Sequence, residues 1–251
     1  LKSNIPCVII SIVRKVLSDD MEEIMKAFIK RYRHAWIIIA YAALYIPWFS
    51  YLEHRNVVNY HIIHMAADDL IPFNEFFIVP YLMWFLFVPA TVVFLLFVGK
   101  SDFYKVCIFL FTGMTVFLIV STVYPNGDTL RPTVFPRDNI FTSLVLWLYG
   151  ADTSTNLFPS IHVYNSLGAF LALLNCEKLQ NRNGRKIQTG AGILCALIIM
   201  STMFLKQHSV FDVITAFIMA AVMWIIAYGI DYKALAMKRQ QSKQQVYGFN
   251  R

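Results

Sequence analysis

The chain has 251 residues, carries a formal net charge of +7 and is 58% hydrophobic, with phenylalanine alone contributing 21 residues. Soluble domains hold about 45–50% apolar residues, so this composition excludes an ordinary soluble domain and points to the bilayer. The positive charge by itself would suit a nucleic-acid partner, but its placement along the chain argues for a different origin.

Residues 1–20, "LKSNIPCVIISIVRKVLSDD", contain a short apolar run without a small-residue cleavage site, so they do not read as a signal peptide. The stretch "MEEIMKAFIKRYRHAW" from Met21 resembles a natural start, so residues 1–20 are expected to be an upstream extension or added sequence. Residues 1–34 are expected to form a basic, partly amphipathic segment on the cytoplasmic surface. A membrane-spanning helix needs roughly 20 predominantly apolar residues. Six segments qualify or come close: 35–51, 76–98, 103–124, 159–176, 190–205 and 210–230. The expected fold is therefore all-α, a polytopic bundle of six transmembrane helices with both termini cytoplasmic. Residues 35–230 would form the catalytic domain, and residues 231–251, with "KRQQSKQQ", a polar cytoplasmic tail.

That topology sorts the 22 Lys and Arg sharply: eighteen fall inside, and Arg55, Arg131, Arg137 and Lys206 fall outside. The bias is the positive-inside pattern of membrane proteins, so the basicity reports orientation and no nucleic-acid partner is expected. The four cysteines are scattered without C-x-x-C spacing and read as structural filler.

Between the first two spans, "HIIHMAADD" places His61, His64 and Asp68 at intervals of three and four. On a helix the three would share a face and could hold a divalent metal; the plainer reading is an interfacial helix with its polar face in water. Three further polar clusters fall on the same expected side: "YPNGDTLRPTVFPRDN", "PSIH" and "STMFLKQHSVFD". Ionisable residues at membrane depth are costly, which makes each a functional candidate.

In the third cluster, His208 and Asp212 lie four apart at the expected start of a helix, where i and i+4 share a face. The carboxylate can accept the Nδ1 proton and leave Nε2 as base or nucleophile, although such a pair also arises for structural reasons alone. In "PSIH", Pro159 suits a helix first turn, and the backbone N–H groups near Ser160 form an anion site beside His162. Arg131 supplies a fixed guanidinium fork for phosphate oxygens. Together these are the parts of a phosphoryl-transfer site that needs no metal and no cofactor.

Arg131-Pro132, Pro159-Ser160-x-His162 and Ser201-x6-His208-x3-Asp212 resemble the three signature motifs of the type 2 phosphatidic acid phosphatase superfamily. The resemblance covers residues 124–212 and implies a six-helix membrane core. It also implies His208 as the nucleophile that forms a phosphohistidine, Asp212 as its orienter, His162 as acid and base, and Arg131 and Ser160 as phosphate holders. The sequence departs from the family pattern at Tyr124, where a Lys is usual, at Ile161 in place of Gly, and at Thr202 in place of Arg. Two phosphate-binding cations are thus missing, a pattern similar to the inositol-phosphorylceramide and sphingomyelin synthase branch. Lys206 and Arg137 are the candidate replacements, or else interface anchors. The implied activity is hydrolysis of a phosphorylated lipid at the extracytoplasmic face of a bacterial-type plasma membrane. The alternatives are headgroup transfer between lipids and, from another class, a non-catalytic lipid-binding or transport protein.

Overall fold

The structure is a computed structural model in which residues 21–230 are described; the expectations for residues 1–20 and for the 231–251 tail lie outside these. Residues up to Ala43 form one compact unit and those from Leu44 another. In the first, helix α1 (residues 21–32) presents an exposed surface with a Lys26–Glu22 ion pair one turn apart, and a 3-10 turn (Arg33–Ala35) follows it. Helix α2 (Trp36–His54) begins in that unit and ends in the second.

The second unit continues with α3 (Ala66–Leu70), α4 (Ile78–Val98), α5 (Lys100–Val123), α6 (Ile140–Ala151), α7 (Ile161–Leu174), α8 (Arg182–Phe204) and α9 (Val210–Trp224). The starts of α6, α7, α8 and α9 are written in the sequence by short polar caps that accept otherwise orphaned first N–H groups. Asn139 accepts from Phe141 and Thr142, Ser160 from Val163, Asn181 from Asn183 and Gly184, and Ser209 from Phe211.

Among the described residues, five helices are long and apolar enough to cross a membrane: Met21–His54, Glu75–Val98, Lys100–Val123, Arg182–Phe204 and Val210–Gly229. The segment expected to supply the fourth span is the 14-residue α7, about 21 Å long and short of a hydrocarbon core of roughly 30 Å. It sits at the centre of the second unit, packed by α4, α5, α8 and α9. Two glycines permit that packing. An added Cβ at Gly113 would lie 1.9 Å from the Tyr164 ring, and one at Gly168 would lie 2.6 Å from Phe109. Tyr164 completes the joint by donating from its hydroxyl to the Phe109 carbonyl at 2.9 Å. The sequence reading did not anticipate α6, whose 12 residues are too few to register as a span.

Three loops are clasped together at one end of the unit. Strand β1 (His61–Ile62) pairs in parallel with β2 (Asn126–Gly127), and Gly127 forms a further bridge with Thr155. Gly127 must be glycine here, because a Cβ would stand 2.6 Å from the Ser154 carbonyl oxygen. Asn126 is fully buried and its side-chain oxygen accepts from the N–H groups of both Leu157 and Phe158 at 2.8 Å. This clasp fixes the strand that delivers Ser160 and His162.

Candidate active site

His162 stands in the first turn of α7 and His208 in the short link between α8 and α9. The two rings meet with His162 Nδ1 3.3 Å from His208 Nε2. On its far side His162 Nε2 lies 3.1 Å from the Tyr81 hydroxyl, and the Trp84 ring covers the imidazole at a centroid distance of 4.5 Å. The hydrogen-bonded chain can run in either direction; the direction that leaves the His208 Nε2 lone pair available has Tyr81 O–H donating to His162 Nε2, His162 Nδ1–H donating to His208 Nε2, and the His208 proton on Nδ1.

His208 does not lie on the helix as expected. Helix α9 starts at Val210 with Ser209 as its cap, so His208 precedes the cap and Asp212 occupies the third helical position. Their side chains still meet, with Nδ1 and Oδ2 3.5 Å apart, although without hydrogen-bond geometry. Asp212 Oδ2 accepts instead from the Ser209 N–H at 3.0 Å, so the residue is a capping carboxylate as well as the imidazole's neighbour. Burial, and then the positive charge of Arg131, push the His208 imidazole down to about 3, opposed by a contact with the Leu157 backbone. The ring is therefore neutral across the physiological range, as a nucleophile requires.

Ser160 is fully buried and caps α7 with its own hydroxyl. Pro159 consequently precedes the cap rather than occupying the first turn. Arg131 extends across the end of α6, donating to the carbonyls of Tyr149 (3.2 Å), Asp152 (2.8 Å) and Thr153 (2.8 Å), and to Gln207 Oε1 (3.1 Å). It thereby joins the first motif to the residue beside His208.

The two candidate replacement cations are held by other groups. Lys206 Nζ donates to the Asp68 carbonyl at 2.7 Å, and Arg137 forms a two-pronged pair with the buried carboxylate of Glu75. Thr202, where the family pattern has Arg, turns its hydroxyl back to the Ile199 carbonyl at 2.8 Å. Lys206 has a left-handed backbone, φ 53°, that reverses the chain at the end of α8. Gln207 and His208 are anchored there by N–H bonds to the Thr202 carbonyl.

The shared-face metal site at residues 61–68 does not form, because the segment is not one helix. His61 is in β1 with its ring stacked on Tyr124, and His64 pairs with Asp69 at 2.9 Å. Asp68 is buried and accepts from Ser209 Oγ (2.6 Å), Val210 N (2.7 Å) and Met65 N (2.7 Å). Among the described residues no cluster of three or more His, Cys, Asp or Glu side chains could hold a metal ion.

Asp68 is thus a structural support of the His208 link that sequence reading had assigned to a different role. Tyr81, Trp84, Asn126 and Gln207 were missed outright. Aromatic residues inside a span read as membrane filler, and only the "PNGD" turn signal marked Asn126 as unusual.

Asp128 lies near Arg131, Asp212 and Asp68, and burial pushes its carboxyl up to about 7. The folded protein therefore binds a proton there that the unfolded chain, with a carboxyl near 3.8, releases earlier. Stability from this group is complete below the unfolded value and is lost as pH rises through 7. Asp128→Asn is expected to stabilise the protein at pH 8–9 by up to about 4 kcal/mol, with little change at pH 4. Thermal unfolding of the detergent-solubilised protein at both pH values checks this, and an equal shift at both would contradict it.

The fold and site together define a helical bundle, with helices long and apolar enough to cross a membrane, in which His162 and the buried His208 come into contact. Residues 128–235, less than half of the chain, match the family model of the PAP2 superfamily. No curated protein and no solved structure matches the chain.

Proposed function

We propose that the protein is an integral membrane enzyme that transfers a phosphoryl group from a phosphorylated lipid through a phosphohistidine on His208. The observation that carries this reading is the 3.3 Å approach of His162 to His208 Nε2, with Asp212 against the other nitrogen, inside the segment matched by the PAP2 superfamily. His208 Nε2 attacks phosphorus and forms the N–P bond while the P–O bond to the leaving group breaks. His162, neutral in the resting arrangement, takes up a second proton on Nε2 as the phosphate enters and passes its Nδ1 proton to the leaving oxygen, while the Tyr81 hydroxyl turns to accept from Nε2–H. A water molecule then attacks phosphorus, gives its proton to His162 and releases His208.

A nucleophile approaches phosphorus at about 3–3.5 Å, so a phosphoryl group entering between the rings has to part them. Six spans, with α7 as the short sixth, both termini cytoplasmic and the histidines on the extracytoplasmic face of the plasma membrane, complete the reading; the distribution of Lys and Arg supports it.

A second reading, headgroup transfer to an acceptor alcohol in place of water, is favoured by a specific observation. Thr202, Lys206 and Arg137 are each turned to other partners, which leaves Arg131 as the motif cation joined to the residue beside His208. The kinship to the inositol-phosphorylceramide and sphingomyelin synthase branch is part of this reading. Purified protein in mixed micelles, assayed for free phosphate against transferred headgroup, separates the two. With either product, His162→Ala is expected to lower turnover about 10²–10⁴-fold, the usual worth of general acid–base help. Stoichiometric lipid binding without turnover of any phospholipid would instead establish the non-catalytic reading.

A further inference from the structure

Arg131 has five N–H donors. Four are accounted for by the carbonyls of Tyr149, Asp152 and Thr153 and by Gln207 Oε1. The fifth, on Nε, is buried and has no hydrogen-bond partner among the described residues. Gln207 is 1% exposed, and its Nε2 amide group is likewise buried and unpartnered. Its orientation is not in doubt, since the reverse arrangement would press the NH2 group against the guanidinium. A buried donor left unpaired costs about 1–3 kcal/mol, so such donors in one connected pair of residues call for an acceptor. His208, the proposed nucleophile, is the next residue in the chain after Gln207, and Arg131 is close enough to depress its basicity.

Resting on the proposed phosphoryl-transfer reading, we infer that Gln207 Nε2 and Arg131 Nε are the donors that hold the substrate phosphate, Gln207 standing in as a neutral donor for the missing cations. This cradle brings one formal positive charge. The buried carboxylates of Asp212 and Asp68 lie at the same link and oppose further negative charge. With Arg131 as the one fixed cation against those carboxylates, a phosphodiester with a single negative charge costs less to bury there than a phosphomonoester dianion. The substrate class is therefore a phosphodiester-linked lipid headgroup.

The test compares wild type, Gln207→Glu and Gln207→Met for orthovanadate binding, read as thermal stabilisation, and for turnover of phosphodiester and phosphomonoester lipids. Gln207→Glu keeps the oxygen that Arg131 holds but removes the donors, so a residue that only positions Arg131 would tolerate it. The expected result is at least about a tenfold weaker orthovanadate affinity in both variants and a raised KM for the lipid, with wild type preferring the diester. Gln207→Met, similar in size and uncharged, carries the comparison should Gln207→Glu fail to fold. Wild-type affinity in either folded variant of an enzyme that turns over phospholipid overturns the inference and leaves the proposed function standing. A tenfold preference of wild type for the monoester overturns the assignment of substrate class. A wild-type protein that neither binds orthovanadate nor turns over any phospholipid removes the proposed function, and this inference with it.

Discussion

His208→Ala is expected to abolish turnover, lowering it on the order of 10⁴-fold or more, while leaving the fold intact. In the proposed mechanism the ring contributes the Nε2 lone pair that forms the bond to phosphorus. His162 is 3.3 Å away, and in the same proposal its Nδ1 serves the leaving oxygen, so it does not take over the attack. Asp212→Asn is expected to lose at least as much as His162→Ala. The carboxylate stabilises the imidazolium formed on attack, and Oδ2 also caps α9 through the Ser209 N–H. The two roles separate experimentally: Asp212→Asn keeps an oxygen that can accept from the Ser209 N–H and loses only the charge, which is read in turnover, whereas Asp212→Ala also loses the cap, at about 0.5–2 kcal/mol of stability. An active, folded His208→Ala protein would remove the nucleophile from the account.

The largest effect on stability is expected from Asp68→Ala. Its carboxylate receives three donors at 2.6–2.7 Å, from Ser209 Oγ, Val210 N and Met65 N, and it is 2% exposed. Truncation strands those donors in a buried site, and at about 1–3 kcal/mol for each unsatisfied group the loss is about 3 kcal/mol or more. Because Asp68 ties the loop after α2 to the first residues of α9, the same change loosens the His208 link. Activity should therefore fall together with the unfolding temperature. Asp68→Asn, which keeps one acceptor oxygen, should recover part of both. A protein with wild-type unfolding temperature after Asp68→Ala would show that this carboxylate does not hold the link.

The long helices were legible because their apolar runs are nearly free of charge, and α8 and α9 also start at Asn and Ser caps that the sequence displays. Helix α6 was not, since the length that identifies a span exceeds its 12 residues, although Asn139 ahead of "IFTSLVLWLY" was a visible start signal. The histidines and Asp212 could be named from their spacing. Their surroundings could not, because they are assembled from loops distant in the chain. His61 pairs with Asn126, and Lys206 bonds to Asp68. The same limit applies to charge. Arg137 and Lys206 looked like spare cations in the sequence, but a cation is spare only when no carboxylate or carbonyl elsewhere in the fold holds it. Glu75 takes the first, and the end of α3 takes the second. Gln207 carried no signal of its own, because an unpaired amide can be recognised only after every neighbour's donors and acceptors have been assigned.

The most direct measurement is chemical quenching of the purified protein during turnover of a ³²P-labelled phospholipid, followed by peptide mapping of the label. The account predicts an acid-labile phosphorus adduct on His208, formed and lost within one catalytic cycle and absent from His208→Ala. Turnover at the wild-type rate with the label on another residue, or with no adduct in a quench fast enough to resolve a single cycle, would contradict it.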